Sequence, residues 1–165
     1  MKAALFVIDI QKAFFKRSPE TARSLEEAIL VVNEAIDFFH SRNLPVICVQ
    51  HCNEASGVLP GTEGFELPEH LHIKPEDIHI VKTYGNALNK TGLAEKLQQL
   101  KVDTLILTGY CAEYCVLSTY RGALDLDLVP ILLRGGIASR NPQNIPFVEN
   151  VNEIISLGAL KRLLS

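Results

Sequence analysis

Strand-like apolar runs alternate with helical patterns from one end of this chain to the other. That alternation is the mark of successive βαβ units and hence of a parallel sheet covered by helices. Ala3–Ile10 is apolar on both faces, as a central parallel strand must be. Pro45–Gln50, Asp77–Lys82, Thr104–Thr108 and Leu128–Leu133 read as further strands, and Ala159–Leu163 as a last one. Pro130 lacks a ladder donor, which puts it at a strand's start or near an edge, and Gly135-Gly136 then turn the chain. Between the strands, Leu25, Ala28, Ile29, Val32, Ala35, Ile36 and Phe39 form one helical stripe over Ser24–Arg42, with Ser24 and Glu27 as a capping box. Thr91–Leu100 and Ile145–Leu157 read as helices as well.

Length and charge narrow the function. The 165 residues read as one domain, 1–165, with no repeat or linker. A net charge of −3 without a basic stripe argues against nucleic-acid binding. No apolar run approaches the ~20 residues a membrane span needs. Asp9 interrupts the N-terminal apolar run and no cleavage site follows, so the expected location is the cytoplasm. The four cysteines, Cys48, Cys52, Cys111 and Cys115, are then expected reduced. Their spacing is not that of a zinc site, and Cys48 lies within an apolar run.

The chemistry concentrates at strand ends. After the apolar run Thr104–Thr108, Gly109 permits a turn, and a helix follows with Val116, Leu117, Tyr120, Ala123 and Leu124 on one face. Cys115 stands where turn becomes helix. Unpaired N–H groups and the helix dipole would stabilise a thiolate there, or hold an oxyanion. The plain alternative is a small residue packing a strand–helix junction. Asp9 and Lys82 also close buried strands, although one could cap a turn and the other lie on the surface. In an open α/β sheet the carboxyl ends of the strands converge on the ligand crevice. The long loop from His51 to about Glu76 exceeds what a compact domain normally carries without a purpose.

Three separated segments, VIDIQKAFF, VKTYGNAL and LILTGYCAEYCVLSTYRGALD, together resemble the isochorismatase-like cysteine hydrolases, which include nicotinamidases and related amide hydrolases. The resemblance implies a three-layer α/β/α, Rossmann-like fold with a six-stranded parallel sheet, in homodimers or larger oligomers. It implies a catalytic triad of Asp9, Lys82 and Cys115 that attacks a small amide through a thioester. It also implies a non-proline cis peptide, placed between Cys111 and Ala112, aiming the Ala112 N–H at an oxyanion beside that of Cys115. Gln11, Phe14, His51, Tyr84 and Tyr114 are the candidate pocket residues. Metal-dependent relatives carry an Asp and a His after the second strand, where this chain has His51 and Asn53. No catalytic metal and no cofactor are therefore expected.

Isochorismatases proper cleave a vinyl ether, so a non-amide substrate is the alternative, as is a non-catalytic binding protein on the same scaffold. The C-x5-R spacing of Cys115 and Arg121 matches a phosphatase loop, but the intervening VLSTY has no glycine and suits a helix. A surface ion pair with Asp125 would account for Arg121.

Overall fold

The computed structural model describes residues 1–165. Its sheet contains β1 (Ala3–Ile8), β2 (Val46–His51), β3 (Ile78–Lys82), β4 (Thr104–Tyr110), β5 (Val129–Ala138) and β6 (Ile154–Ile155). All pairings are parallel, and the spatial order is β3-β2-β1-β4-β5-β6. The helices are α1 (Lys12–Phe15), α2 (Pro19–Ser41), α3 (Leu93–Gln99), α4 (Leu117–Leu124), α5 (Ile145–Asn150) and α6 (Leu157–Leu163). No helix is long and apolar enough to cross a membrane.

The period-two alternation of β1 builds both helical layers. Ala3, Leu5 and Val7 pack with α2 and Leu160 of α6, while Ala4, Phe6 and Ile8 pack with Leu93 and Leu97 of α3 and Tyr120 of α4. Strand order reverses between β1 and β4. This is the doubly wound topology, and its switch point opens a crevice beyond the carboxyl ends of those two strands. Gly109, near the end of β4, lets them close up. Its φ is +110°, and a Cβ there would stand 2.0 Å from the Ile8 carbonyl oxygen. Only glycine meets both conditions.

The structure moves several boundaries. Helix α2 starts at Pro19, not Ser24: Ser18 caps it by accepting from the Thr21 N–H at 3.1 Å, and proline suits the first helical position. Ser24 is buried within the helix, and its hydroxyl accepts from the Ser139 N–H at 3.0 Å. Helix α3 is capped at Gly92 and starts after Thr91. Strand β5 runs on to Ala138, because Gly135 and Gly136 form a bulge rather than a turn. Leu107 faces Leu132, but Gly109 faces Ile137. Pro130 is the second residue of β5, one strand in from the edge.

At the C-terminus, the last strand is Ile154–Ile155, which cuts the Ile145–Leu157 helix short. Ala159–Leu163 is helical, not a strand. Ser156 caps it at the Ala159 N–H, and Leu157, Leu160 and Leu164 face the core at helical spacing.

Candidate active site

Four strand ends meet at the switch point. Asp9 follows β1 in the left-handed region, with φ +52°, which aspartate tolerates better than most residues. Its N–H donates to the Val49 carbonyl at 2.8 Å, fixing it beside the end of β2. Lys82 and His51 are the last residues of β3 and β2 and sit opposite each other in the register. Cys115 lies in a π-helical turn, Ala112–Val116, between β4 and α4. Thr119 of α4 donates to the Cys115 carbonyl at 2.8 Å and accepts from the Ala87 N–H at 3.0 Å. It thereby ties that turn to the loop leaving Lys82.

Lys82 is the hub. Its ammonium donates to Asp9 Oδ2 at 2.8 Å, to His51 Nδ1 at 3.0 Å and to Cys115 Sγ at 3.4 Å. Asp9 and Lys82 form an ion pair whose side chains are 1% and 0% exposed. Such a pair is strongly destabilised by removing either partner. The other Asp9 oxygen, Oδ1, is buried with no hydrogen-bond partner.

The electrostatics differ from a preformed thiolate. Burial, then the neighbouring Asp9 charge, push the Cys115 thiol up to about 12, and Lys82 only partly offsets them. Cys115 is therefore a thiol at neutral pH. The direction is opposite to that expected of a helix-start thiolate, because the sulfur lies before α4, in a buried turn and beside a carboxylate. Burial also raises Asp9 against the lowering effect of Lys82. His51 is lowered to about 4 by burial and by the charges of Lys82 and Arg17. It is neutral, and since Nδ1 accepts from Lys82, the ring proton sits on Nε2.

The donor atoms of Asp9, His51 and Cys115 lie within 4.8 Å of one another, close enough to share a metal ion. The Lys82 ammonium bonds all three, so a fixed cation already holds that centre.

A cavity of about 250 Å³ opens onto Asp9 and Cys115 and is walled by Phe14, Arg17, His51, Tyr110, Cys111, Tyr114 and Arg140. Phe14, His51 and Tyr114 were expected in the pocket. Gln11 and Tyr84 are not among its walls. Gln11 is fully buried and braces His51, taking its N–H at 2.7 Å and donating to its carbonyl at 3.0 Å and to the Phe65 carbonyl at 3.1 Å. Tyr84 is 45% exposed, with its hydroxyl by the Lys90 ammonium.

The cis peptide joins Tyr110 to Cys111, one residue earlier than expected. Tyr110 still pairs with Ala138, so the chain leaves the sheet at that junction, and the N–H of the cis bond belongs to Cys111 rather than Ala112. Arg121 makes no ion pair with Asp125. It lies over the Tyr120 ring, 5.6 Å from the centroid.

Arg17, Tyr110, Cys111 and Arg140 are wall residues that the sequence reading missed. Arg140 was hidden by ending β5 at Leu133. Once the strand runs to Ala138, Arg140 falls just beyond a strand end, where a site residue is expected.

Comparison with known proteins agrees with this architecture. Residues 3–147 match the model of the Isochorismatase domain. An uncharacterised isochorismatase family protein of Bacillus subtilis, YddQ, is 32% identical over 128 residues, covering 76% of this chain and 71% of its own. Streptothricin hydrolase of Streptomyces noursei is 33% identical over 129 residues, 74% of this chain but only 45% of that one. The isochorismatase-like hydrolase of Alkaliphilus metalliredigens superposes with a TM-score of 0.91 over the full length of both chains, at 21% identity. The chain belongs to the Isochorismatase family of hydrolases.

Proposed function

We propose that this protein is a cysteine hydrolase that cleaves the C–N bond of a small amide through a thioester on Cys115. The observation that carries the reading is the placement of Asp9, His51 and Cys115 around the one buried ammonium of Lys82. The similarity to streptothricin hydrolase supports hydrolysis as the reaction class.

Each step follows from the charges. Because Cys115 starts as a thiol, attack needs a base. The partnerless Asp9 Oδ1 is the group free to take the proton. Sulfur then bonds to the carbonyl carbon, and the carbonyl oxygen takes up the negative charge. The amide of Cys111 donates to no other backbone group and, with those of Ala112 and Cys115, is a candidate donor to it. Collapse breaks the C–N bond, and the proton held by Asp9 leaves with the amine. Water, deprotonated by the same carboxylate, opens the thioester, releases the acid and restores the thiol. Lys82 keeps Asp9 in place and offsets the charge that arises on sulfur. The neutral His51 holds the third Lys82 bond and fixes the ammonium's orientation.

The test is ammonia release from a panel of small amides, ureides and carbamoyl compounds, with Cys115→Ala as the control. Release that vanishes in the variant is expected. Release that persists in Cys115→Ala would remove the nucleophile from the mechanism.

A further inference from the structure

Two guanidinium groups stand at the mouth of the site without an ion-pair partner. Arg17 and Arg140 wall the inner cavity, and both also wall an adjoining chamber of about 490 Å³. Apart from Pro142, that chamber is walled by polar and charged residues. Ser18, Thr21, Asn141 and Gln143 line it, together with Glu20. Neither arginine forms an ion pair, with Glu20 or with any other acid.

Both arginines are exposed; the Arg17 guanidinium rests on an aromatic ring and the Arg140 backbone is anchored on both sides. The Arg17 guanidinium lies 5.2 Å from the centroid of the Phe14 ring, and Phe14 stacks on Tyr110 at 4.9 Å. Arg140 sits between two anchored neighbours. The Ser139 N–H donates to Ser24, the Ser139 hydroxyl donates to Glu113 at 2.7 Å, and the Asn141 N–H donates to the Ser139 hydroxyl at 2.9 Å.

The charge balance of the site then follows. Asp9 and Lys82 cancel, Cys115 is a thiol and His51 is neutral. What remains at the entrance is the two guanidinium charges, with Glu20 on the outer chamber's wall paired to neither and Glu113 held by Ser139 and Asn144, on a chain whose net charge is −3. Solvated surface arginines need no partner, but these two share two cavities and flank the nucleophile's entrance. Guanidinium forks match carboxylates and related oxyanions in geometry as well as charge.

We infer that Arg17 and Arg140 bind an anionic group of the substrate, so that the site selects small amides carrying a carboxylate or a similar oxyanion. The amide half rests on the proposed function; the anion half rests on the two arginines alone. The scissile carbonyl enters the inner cavity, the anion stays between the guanidiniums, and the outer chamber takes any polar extension.

The experiment compares matched pairs: succinamate with succinamide, and N-carbamoylglycine with its amide. The anionic member is expected to show a kcat/KM at least about tenfold higher, the scale of one charge-assisted hydrogen bond. In Arg17→Gln and Arg140→Gln that ratio falls toward one, chiefly through KM. Cys115-dependent turnover that favours the neutral members overturns the inference and leaves the amidase reading standing.

If no pair is turned over, the amidase reading fails, and alkylation decides the anion site. Rates of Cys115 with iodoacetate and iodoacetamide are measured and normalised to the same ratio for glutathione. A raised preference for iodoacetate that disappears in the Arg17→Gln/Arg140→Gln variant supports the site. A ratio equal to that of glutathione overturns it.

Discussion

The Cys115 sulfur lies 3.4 Å from the Lys82 ammonium, yet its thiol is pushed up rather than down. One cation is outweighed by burial and by the carboxylate that the same cation holds at 2.8 Å. In the proposed mechanism, this set of hydrogen bonds makes proton transfer from thiol to Asp9, rather than a standing thiolate, the route to reactivity.

Lys82→Met tests the hub. The substitution keeps volume but leaves Asp9 in a fully buried place without its donor. Breaking such a pair is expected to lower stability by roughly 3 kcal/mol or more, read from the denaturant midpoint. Removing the cation bonded to the sulfur also drives the Cys115 pKa further up, so alkylation at pH 8 slows. A variant as stable as the parent, with an unchanged alkylation rate, contradicts the role given to Lys82.

Gly109→Ala tests the close approach of β4 to β1. A methyl group 2.0 Å from the Ile8 carbonyl oxygen, on a backbone at φ +110°, requires the strand ends to separate. The expected loss is above ~3 kcal/mol, and survivors should lose activity with stability because Asp9 and Cys115 hang on those two ends. A melting temperature within a few degrees of the parent would show that the strands do not need this contact.

Gln11→Leu tests the brace under His51. The side chain makes three hydrogen bonds across buried backbone, two of them to His51 itself. Leaving those groups unpaired is expected to cost about 1–3 kcal/mol and to loosen His51 against Lys82. Circular dichroism during thermal unfolding reads the stability. Equal melting curves would mean that Gln11 carries no such load.

The scaffold was legible because its signals are local and periodic. The stripe from Leu25 to Phe39 and the two-faced run Ala3–Ile10, whose strand ends at Ile8, name their own elements. Asp9, Lys82 and Cys115 were found as strand-end residues, and the fold brings their reactive atoms together. What stayed hidden depends on contacts between distant segments. The bulge at Gly135-Gly136 depends on the neighbouring strand, and missing it concealed Arg140. The protonation of Cys115 depends on burial that no spacing reveals. Gln11 is a candidate pocket residue in the sequence, but its side chain turns to the Phe65 and His51 backbone instead.

The most direct test of the central claim, that Asp9 is the base for a protonated Cys115, compares Asp9→Asn with the parent in two assays. Asparagine keeps the size and removes the negative charge that helps push the thiol up to about 12. The sign is fixed: without that charge, and with Lys82 still present, the thiolate is easier to form. The Cys115 pKa should therefore fall, and iodoacetamide alkylation at pH 8 should accelerate by about tenfold for each unit of the fall. Amide turnover should drop in the same variant by roughly 100-fold or more, because no carboxylate remains to move the proton. Faster alkylation with lost turnover is the predicted pair of results. Alkylation that is unchanged or slower, together with retained turnover, would contradict the account.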